Sequence, residues 1–156
     1  MQGCVLKMEG ITNIYIEKVL ARAKCQLFKG CFSADNIELN LLDEPKFSFI
    51  CNTAKQDQEG EHFVTVIVND DSIYYIDTFA NHCENEPILS FLQKLKKPIF
   101  CNYKQIQHNN SVCCGFFCIL FVLYFEKPQS FDMSFSNELE QNDKICERYI
   151  KKLLTN

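Results

Sequence analysis

The sequence predicts an α+β fold, a small mixed or antiparallel sheet flanked by helices, on three observations. A run dense in β-branched and aromatic residues, His62-Phe63-Val64-Thr65-Val66-Ile67-Val68, meets turn chemistry at Asn69-Asp70-Asp71 and returns as Ser72-Ile73-Tyr74-Tyr75-Ile76-Asp77. Three other segments repeat apolar residues at helical spacing. Residues 116–125 are ten apolar residues in succession, too few to cross a bilayer and suited to a helix buried in a core.

The first helix is expected over residues 13–23, where Ile16, Val19, Leu20 and Ala23 share a face and Thr12 or Asn13 can cap the start. Residues 26–44 carry mixed signals, including Phe28-Lys29-Gly30. After the turn Asp43-Glu44-Pro45, the run Phe47-Ser48-Phe49-Ile50-Cys51 reads as the first strand. Polar residues 52–61, with Gly60 as a hinge, lead to the hairpin. Pro87 opens a helix whose Ile88, Leu89, Phe91, Leu92 and Leu95 form one stripe, with Lys94, Lys96 and Lys97 at its negative end before Pro98. Residues 99–103 suit a short strand, residues 114–125 the buried helix closed by Glu126-Lys127-Pro128, and residues 142–154 a last helix using Ile145, Tyr149, Leu153 and Leu154.

The 156 residues favour a single domain, 1–156, with a sizeable core. A composition of 47% apolar residues with 14 Phe and only 5 Gly excludes fibrous and wholly disordered chains. The net charge of −4 argues against a protein whose affinity comes mainly from neutralising nucleic-acid phosphates. Lys94, Lys96 and Lys97, or Lys151 and Lys152, offer at most a small basic patch, or simply solvated helix ends. Ten cysteines would suit a secreted disulfide scaffold, but residues 1–7 lack a signal peptide's apolar run, so the thiols are read as reduced and the protein as not secreted. Cys113, Cys114 and Cys118 lack zinc-site spacing, and no metal is expected.

Candidate chemistry lies in the order His, acid, Cys. A two-residue Asp70-Asp71 loop pairs Asn69 with Ser72 and sets His62 opposite Phe79, placing Asp77 diagonally from His62 on one sheet face, within reach of a hydrogen bond. The bland alternative is a solvated strand-end histidine and a turn aspartate. Further on, the approach loop Gln107-His108-Asn109-Asn110-Ser111-Val112 turns apolar after Cys113-Cys114-Gly115, which sets Cys114 near a helix N-terminus. There, unpaired N–H groups and the helix dipole favour a thiolate. Its alternative is a packed core cysteine, the usual fate of a free thiol.

On these residues the chain resembles the adenovirus-type (adenain) maturation cysteine proteases, which are related to the peptidases that process ubiquitin-like modifiers. The likeness is carried by Phe28-Lys29-Gly30, by Asn52-Thr53-Ala54 with Gly60-Glu61-His62-Phe63, by Tyr75-Ile76-Asp77-Thr78-Phe79-Ala80, by residues 107–117 with six residues between Gln107 and Cys114, and by Pro128-Gln129. The chain departs from that pattern at Phe63, where the family usually has Trp, at Ala80, usually Gly, and at Cys113, usually a small residue. An aromatic wall beside His62 is nonetheless kept.

The resemblance implies a papain-like core with Cys114 as nucleophile on a buried helix, His62 as its ion-pair partner, Asp77 as the residue orienting His62, and Gln107 as an oxyanion donor. It further implies a viral or virus-derived endopeptidase, acting as a monomer inside the virion and host cell on capsid or core precursors beside glycine. An activating peptide or DNA belongs to the family, with Cys83 and Cys101 as tether candidates on exposure grounds, although the chemistry itself requires no cofactor. The rivals are a deconjugating peptidase for a ubiquitin-like modifier, which needs a wide docking face, and an inactive binding module of the same fold.

Overall fold

A computed structural model describes residues 10–60, 62–128 and 134–155. The readings at residues 1–7, Glu61 and Gln129 lie outside the described residues. These comprise α1 (Asn13–Arg22), β1 (Phe28–Ser33), a 3-10 turn (Leu39–Asp43), β2 (Phe47–Asn52), β3 (Phe63–Val68), β4 (Ile73–Ile76), α2 (Glu86–Lys94), β5 (Ile99–Cys101), α3 (Cys114–Glu126) and α4 (Leu139–Thr155). The strands make one mixed sheet in the order β1-β2-β3-β4-β5, antiparallel in its centre and parallel at both edges. The expected α+β class is what the chain adopts.

Period-2 alternation sends the two faces of β2 and β3 to two separate cores. Phe47, Phe49 and Cys51 with Val64, Val66 and Val68 point to the face that α2 closes with Ile88, Phe91 and Leu92. Ile50 points to the opposite face, where α1, α3 and α4 pack. Along α3 every residue from Gly115 to Leu123 is buried, which explains why its sequence shows no polar stripe. Fully burying one such Leu or Phe stabilises the fold by about 1.5–3 kcal/mol, so this helix anchors the half of the molecule that carries Cys114.

The expected hairpin register is present. Val68 faces Ile73, Thr65 faces Ile76, and Asn69 N–H donates to Ser72 O at 2.9 Å across the two-residue loop. Thr12 caps α1 by accepting from Tyr15 N–H at 3.3 Å, and Asn85 caps α2 by accepting from Ile88 N–H at 3.3 Å.

Two expectations are corrected. Residues 47–51 belong to the second strand, not the first, because β1 forms within the stretch of mixed signals. Its local pattern is broken by Gly30, at φ 138°, where the register with β2 shifts. The last helix begins at Leu139, earlier than expected, and its buried spine is Asn142, Cys146 and Ile150, while Leu154 is exposed. The polar Asn142 occupies that spine because its side chain accepts from Ser136 N–H and donates to Ile106 O and Ser136 O, a set of bonds that no periodicity reveals. At the helix ends Lys94, Lys96, Lys151 and Lys152 are exposed. Lys97 Nζ donates to Pro45 O at 3.2 Å and Asn69 O at 2.7 Å, and Lys151 pairs with Glu147 at 3.2 Å. Among the described residues, no helix is long and apolar enough to cross a membrane.

Candidate active site

The hairpin sets His62 one residue before β3 and Asp77 one residue after β4, and their side chains meet. Nε2 of His62 lies 2.9 Å from Oδ1 of Asp77. Asp77 is buried and held on both sides. Its Oδ1 also accepts from Phe79 N–H at 2.8 Å, while the Asn102 amide accepts from Asp77 N–H at 2.9 Å and donates to Asp77 O at 2.7 Å. The ring of Phe79 lies against the imidazole with centroids 5.0 Å apart. Phe79 thus adds an aromatic face beside His62, in the cleft that Phe63 also lines.

Cys114 begins α3, with Cys113 as the capping residue before it. Its thiol is within hydrogen-bond reach of His62, and the backbone N–H groups of Phe63 and Gly115 also point at it. With Nε2 committed to Asp77, Nδ1 is the imidazole nitrogen left for the thiol. Burial alone would raise the thiol's pKa, yet the bond and charge of His62 and the two backbone donors outweigh burial and hold it below its ordinary 9.0. Burial likewise pulls His62 down, and the hydrogen bonds to Asp77 and Cys114 outweigh it, lifting the imidazole from 6.5 to about 9. Both shifts favour the thiolate and imidazolium forms of the pair.

Burial acts the other way on most of the other described cysteines. Burial pushes Cys113, Cys118, Cys146 and Cys31 up, along with Cys51 to about 12 and Cys25 to about 11. Neighbouring Cys113 turns into the core, and its N–H donates to Ser111 Oγ at 3.1 Å. The nine described cysteines are all free thiols. Cys83 and Cys101, the tether candidates, are both half-buried against the α2 core, and burial raises Cys83 to about 11.

Gln107 is 1% exposed. Its Nε2 donates to Ser111 O at 2.8 Å and lies 3.3 Å from Ser111 Oγ, while its Oε1 accepts from Thr78 Oγ1 at 2.6 Å. Because the Ser111 carbonyl can only accept, the amino end of the amide must face Ser111 and the carbonyl end Thr78. The approach loop is anchored at its start by Thr78 O, which accepts from Ile106 N–H at 2.8 Å and Gln107 N–H at 3.1 Å.

His62, Gln107 and Cys114 line one cleft of about 610 Å³, with Asp77 behind His62. The structure thus brings the four candidate residues together. The position after Cys114 has no room for a side chain, since a Cβ on Gly115 would sit 2.7 Å from Ile11 Cγ1 and 3.3 Å from Phe63 Cδ2. At Gly60 a Cβ would come within 2.9 Å of Asn52 Nδ2, the end of a side chain that can move aside. Sequence reasoning missed Asn102 and Thr78. Asn102 bonds only to backbone groups, which leaves no sequence signal, whereas Thr78 stood next to the candidate acid. Among the described residues, no cluster of His, Cys, Asp or Glu is placed to hold a metal ion.

No protein-family model matches the chain, and no curated protein sequence matches it. Solved structures do. The ASFV pS273R protease matches with a TM-score of 0.59 at 14% identity, over 88% of this chain and 66% of that one. The SUMO protease Ulp1, solved with its catalytic cysteine oxidised to a sulfinic acid, matches at 0.55 and 14% identity over 96% of this chain and 81% of its own. The Chlamydia abortus effector protein ChlaDUB matches at 0.51 and 15% identity, over 85% and 68%. Four helices and a five-stranded mixed sheet are arranged here in the fold shared with the pS273R protease and the SUMO protease Ulp1. The chain spans just under two thirds of the pS273R chain. At these identities the likeness is one of fold.

Proposed function

We propose that the chain, as one domain over residues 1–156, is a cysteine endopeptidase. The observation that carries this reading is His62 between Asp77 and Cys114, with the Cys114 thiol held below its ordinary pKa and opening onto the cleft. The Cys114 thiolate attacks the scissile carbonyl carbon, and the carbonyl π electrons move to oxygen. Gln107 Nε2 and the Cys114 backbone N–H stabilise that oxyanion. Its collapse breaks the C–N bond, and the departing amine takes the proton of His62, leaving a thioester on Cys114. Water then adds to the thioester carbonyl, giving a proton to His62, and collapse releases the acid and restores the thiolate, with the imidazolium already reformed. Asp77 keeps the imidazole in the tautomer and orientation that both steps require.

The finer reading is maturation cleavage of capsid or core precursors beside glycine, in the virion and host cell. It is supported by the motif resemblance and by the fold shared with the ASFV pS273R protease. The fold shared with Ulp1 favours a second reading, processing of a ubiquitin-like modifier. Incubation with a fluorogenic peptide ending in Gly-Gly-aminomethylcoumarin, followed by mass spectrometry after a Gly-directed peptide electrophile, tests the common core. Release of the fluorophore together with a label on Cys114 supports it. A protein that neither cleaves nor is labelled at Cys114 is the inactive module. Parallel digests of a capsid precursor and of a modifier precursor separate the two substrates.

A further inference from the structure

We propose that Thr78 is the positioning residue that aims the Gln107 amide at the oxyanion. The inference rests on the peptidase reading above. Thr78 is fully buried and immediately follows Asp77, so one dipeptide serves both halves of the site: Asp77 orients His62, and Thr78 orients Gln107. The two parts of Thr78 act separately. Its backbone carbonyl anchors the loop through Ile106 N–H and Gln107 N–H, whereas its hydroxyl donates only to Gln107 Oε1, at 2.6 Å.

A primary amide has two nearly isosteric ends, of which only the amino end can stabilise an oxyanion. Two contacts decide the orientation in this buried position. Ser111 O takes one N–H at 2.8 Å, and the Thr78 hydroxyl takes the carbonyl end. The second N–H of Nε2 has only Ser111 Oγ at a looser 3.3 Å, and because Gln107 and Cys114 line one cleft, this N–H is the one assigned to a carbonyl oxygen above Cys114. Without the hydroxyl, Oε1 is left buried and unpaired, and the amide swings to find a donor at the expense of its aim. A donor placed in advance contributes to catalysis because nothing needs reorganising when charge develops on the oxygen.

The test compares Thr78→Val, which keeps shape and backbone but removes the donor, with Thr78→Ser, which keeps the donor. For each variant, kcat and KM on the Gly-Gly-aminomethylcoumarin peptide are measured beside the rate of Cys114 alkylation by iodoacetamide, a displacement that forms no oxyanion. The expected result for Thr78→Val is a fall in kcat of about 10-fold to 100-fold, short of the 10²–10³ for deleting an oxyanion donor outright, with KM and alkylation close to wild type. Thr78→Ser restores most of kcat. Adding Gln107→Ala to Thr78→Val costs little more than Gln107→Ala alone. Wild-type kcat in Thr78→Val, an equal loss in Thr78→Ser, or alkylation falling in parallel with cleavage overturns the inference while leaving the peptidase reading in place. A wild-type protein that is alkylated at Cys114 yet cleaves nothing overturns the peptidase reading instead, and this inference with it.

Discussion

Nε2 of His62 and Oδ1 of Asp77 lie 2.9 Å apart because a two-residue turn sets the register of β3 against β4, so the pairing that builds the hairpin also builds the charge partner of Cys114. The same register stacks Phe79 on the imidazole and holds the pair away from bulk water.

Selective thiol chemistry follows from that pair. Iodoacetamide at limiting dose should label Cys114 ahead of Cys113 and Cys118, since burial raises the other two. Peptide mapping reads the order, and preferential labelling of Cys113 would refute the assignment. Cys114→Ala should abolish cleavage with the thermal transition little changed.

The two opposite shifts define a pH window. His62 is raised in the folded state, so its contribution to stability is fully present below 6.5 and is lost as pH rises through about 9. Cys114 is lowered, so its contribution is present above 9.0 and is lost as pH falls through its folded value. Cleavage should therefore have an alkaline limb near 9 that reports His62. Asp77→Asn removes a bond that raises His62 and should move this limb to lower pH, with turnover impaired less than in His62→Ala. Titration of kcat in both variants checks this, and an unmoved limb in Asp77→Asn would refute it.

Gln107→Ala should slow peptide cleavage by about 10²–10³ while leaving alkylation of Cys114 nearly unchanged, because alkylation develops no oxyanion. If both rates collapse together, Gln107 supports the loop or the thiolate and donates to no oxyanion.

Two backbone positions near the site should respond oppositely to a methyl group. Ala80 closes the turn after Asp77 at φ 61°, donating its N–H to Asp77 O at 2.9 Å. Ala80→Gly relieves left-handed strain of about 1–2 kcal/mol against an entropic loss of about 0.5–1 kcal/mol, so stability should hold or rise slightly. Gly115→Ala drives a methyl into Ile11 and Phe63 and should destabilise by about 1–3 kcal/mol. Urea unfolding of the two variants measures both effects.

Local signals wrote most of the architecture. The Asp70-Asp71 turn with its flanking apolar runs specifies the hairpin register, and with it the meeting of His62, Phe79 and Asp77. The polar-to-apolar change at Cys114 marks the start of α3. Such features are legible because turns, caps and periodicity act between residues close in the chain. β1 was not legible, since its stability comes from parallel pairing with a strand more than a dozen residues on and its own pattern is interrupted at Gly30.

By itself, then, the sequence determined the α+β class, the elements from the hairpin to α3, and the four candidate site residues. The three-dimensional packing alone decided that Cys113 turns into the core beside Cys114, that Asn102 and Thr78 support the site, and how the amide of Gln107 is turned. Burial sends Cys113 into the core, while Cys114, one helical position on, faces His62 and two backbone donors. The direction of Gln107 depends on Thr78 and on Ser111, the first 29 residues away in the chain. A pKa or a hydrogen-bond direction is set by the sum of charges, dipoles and excluded water around a group, and those surroundings exist only once distant segments have packed.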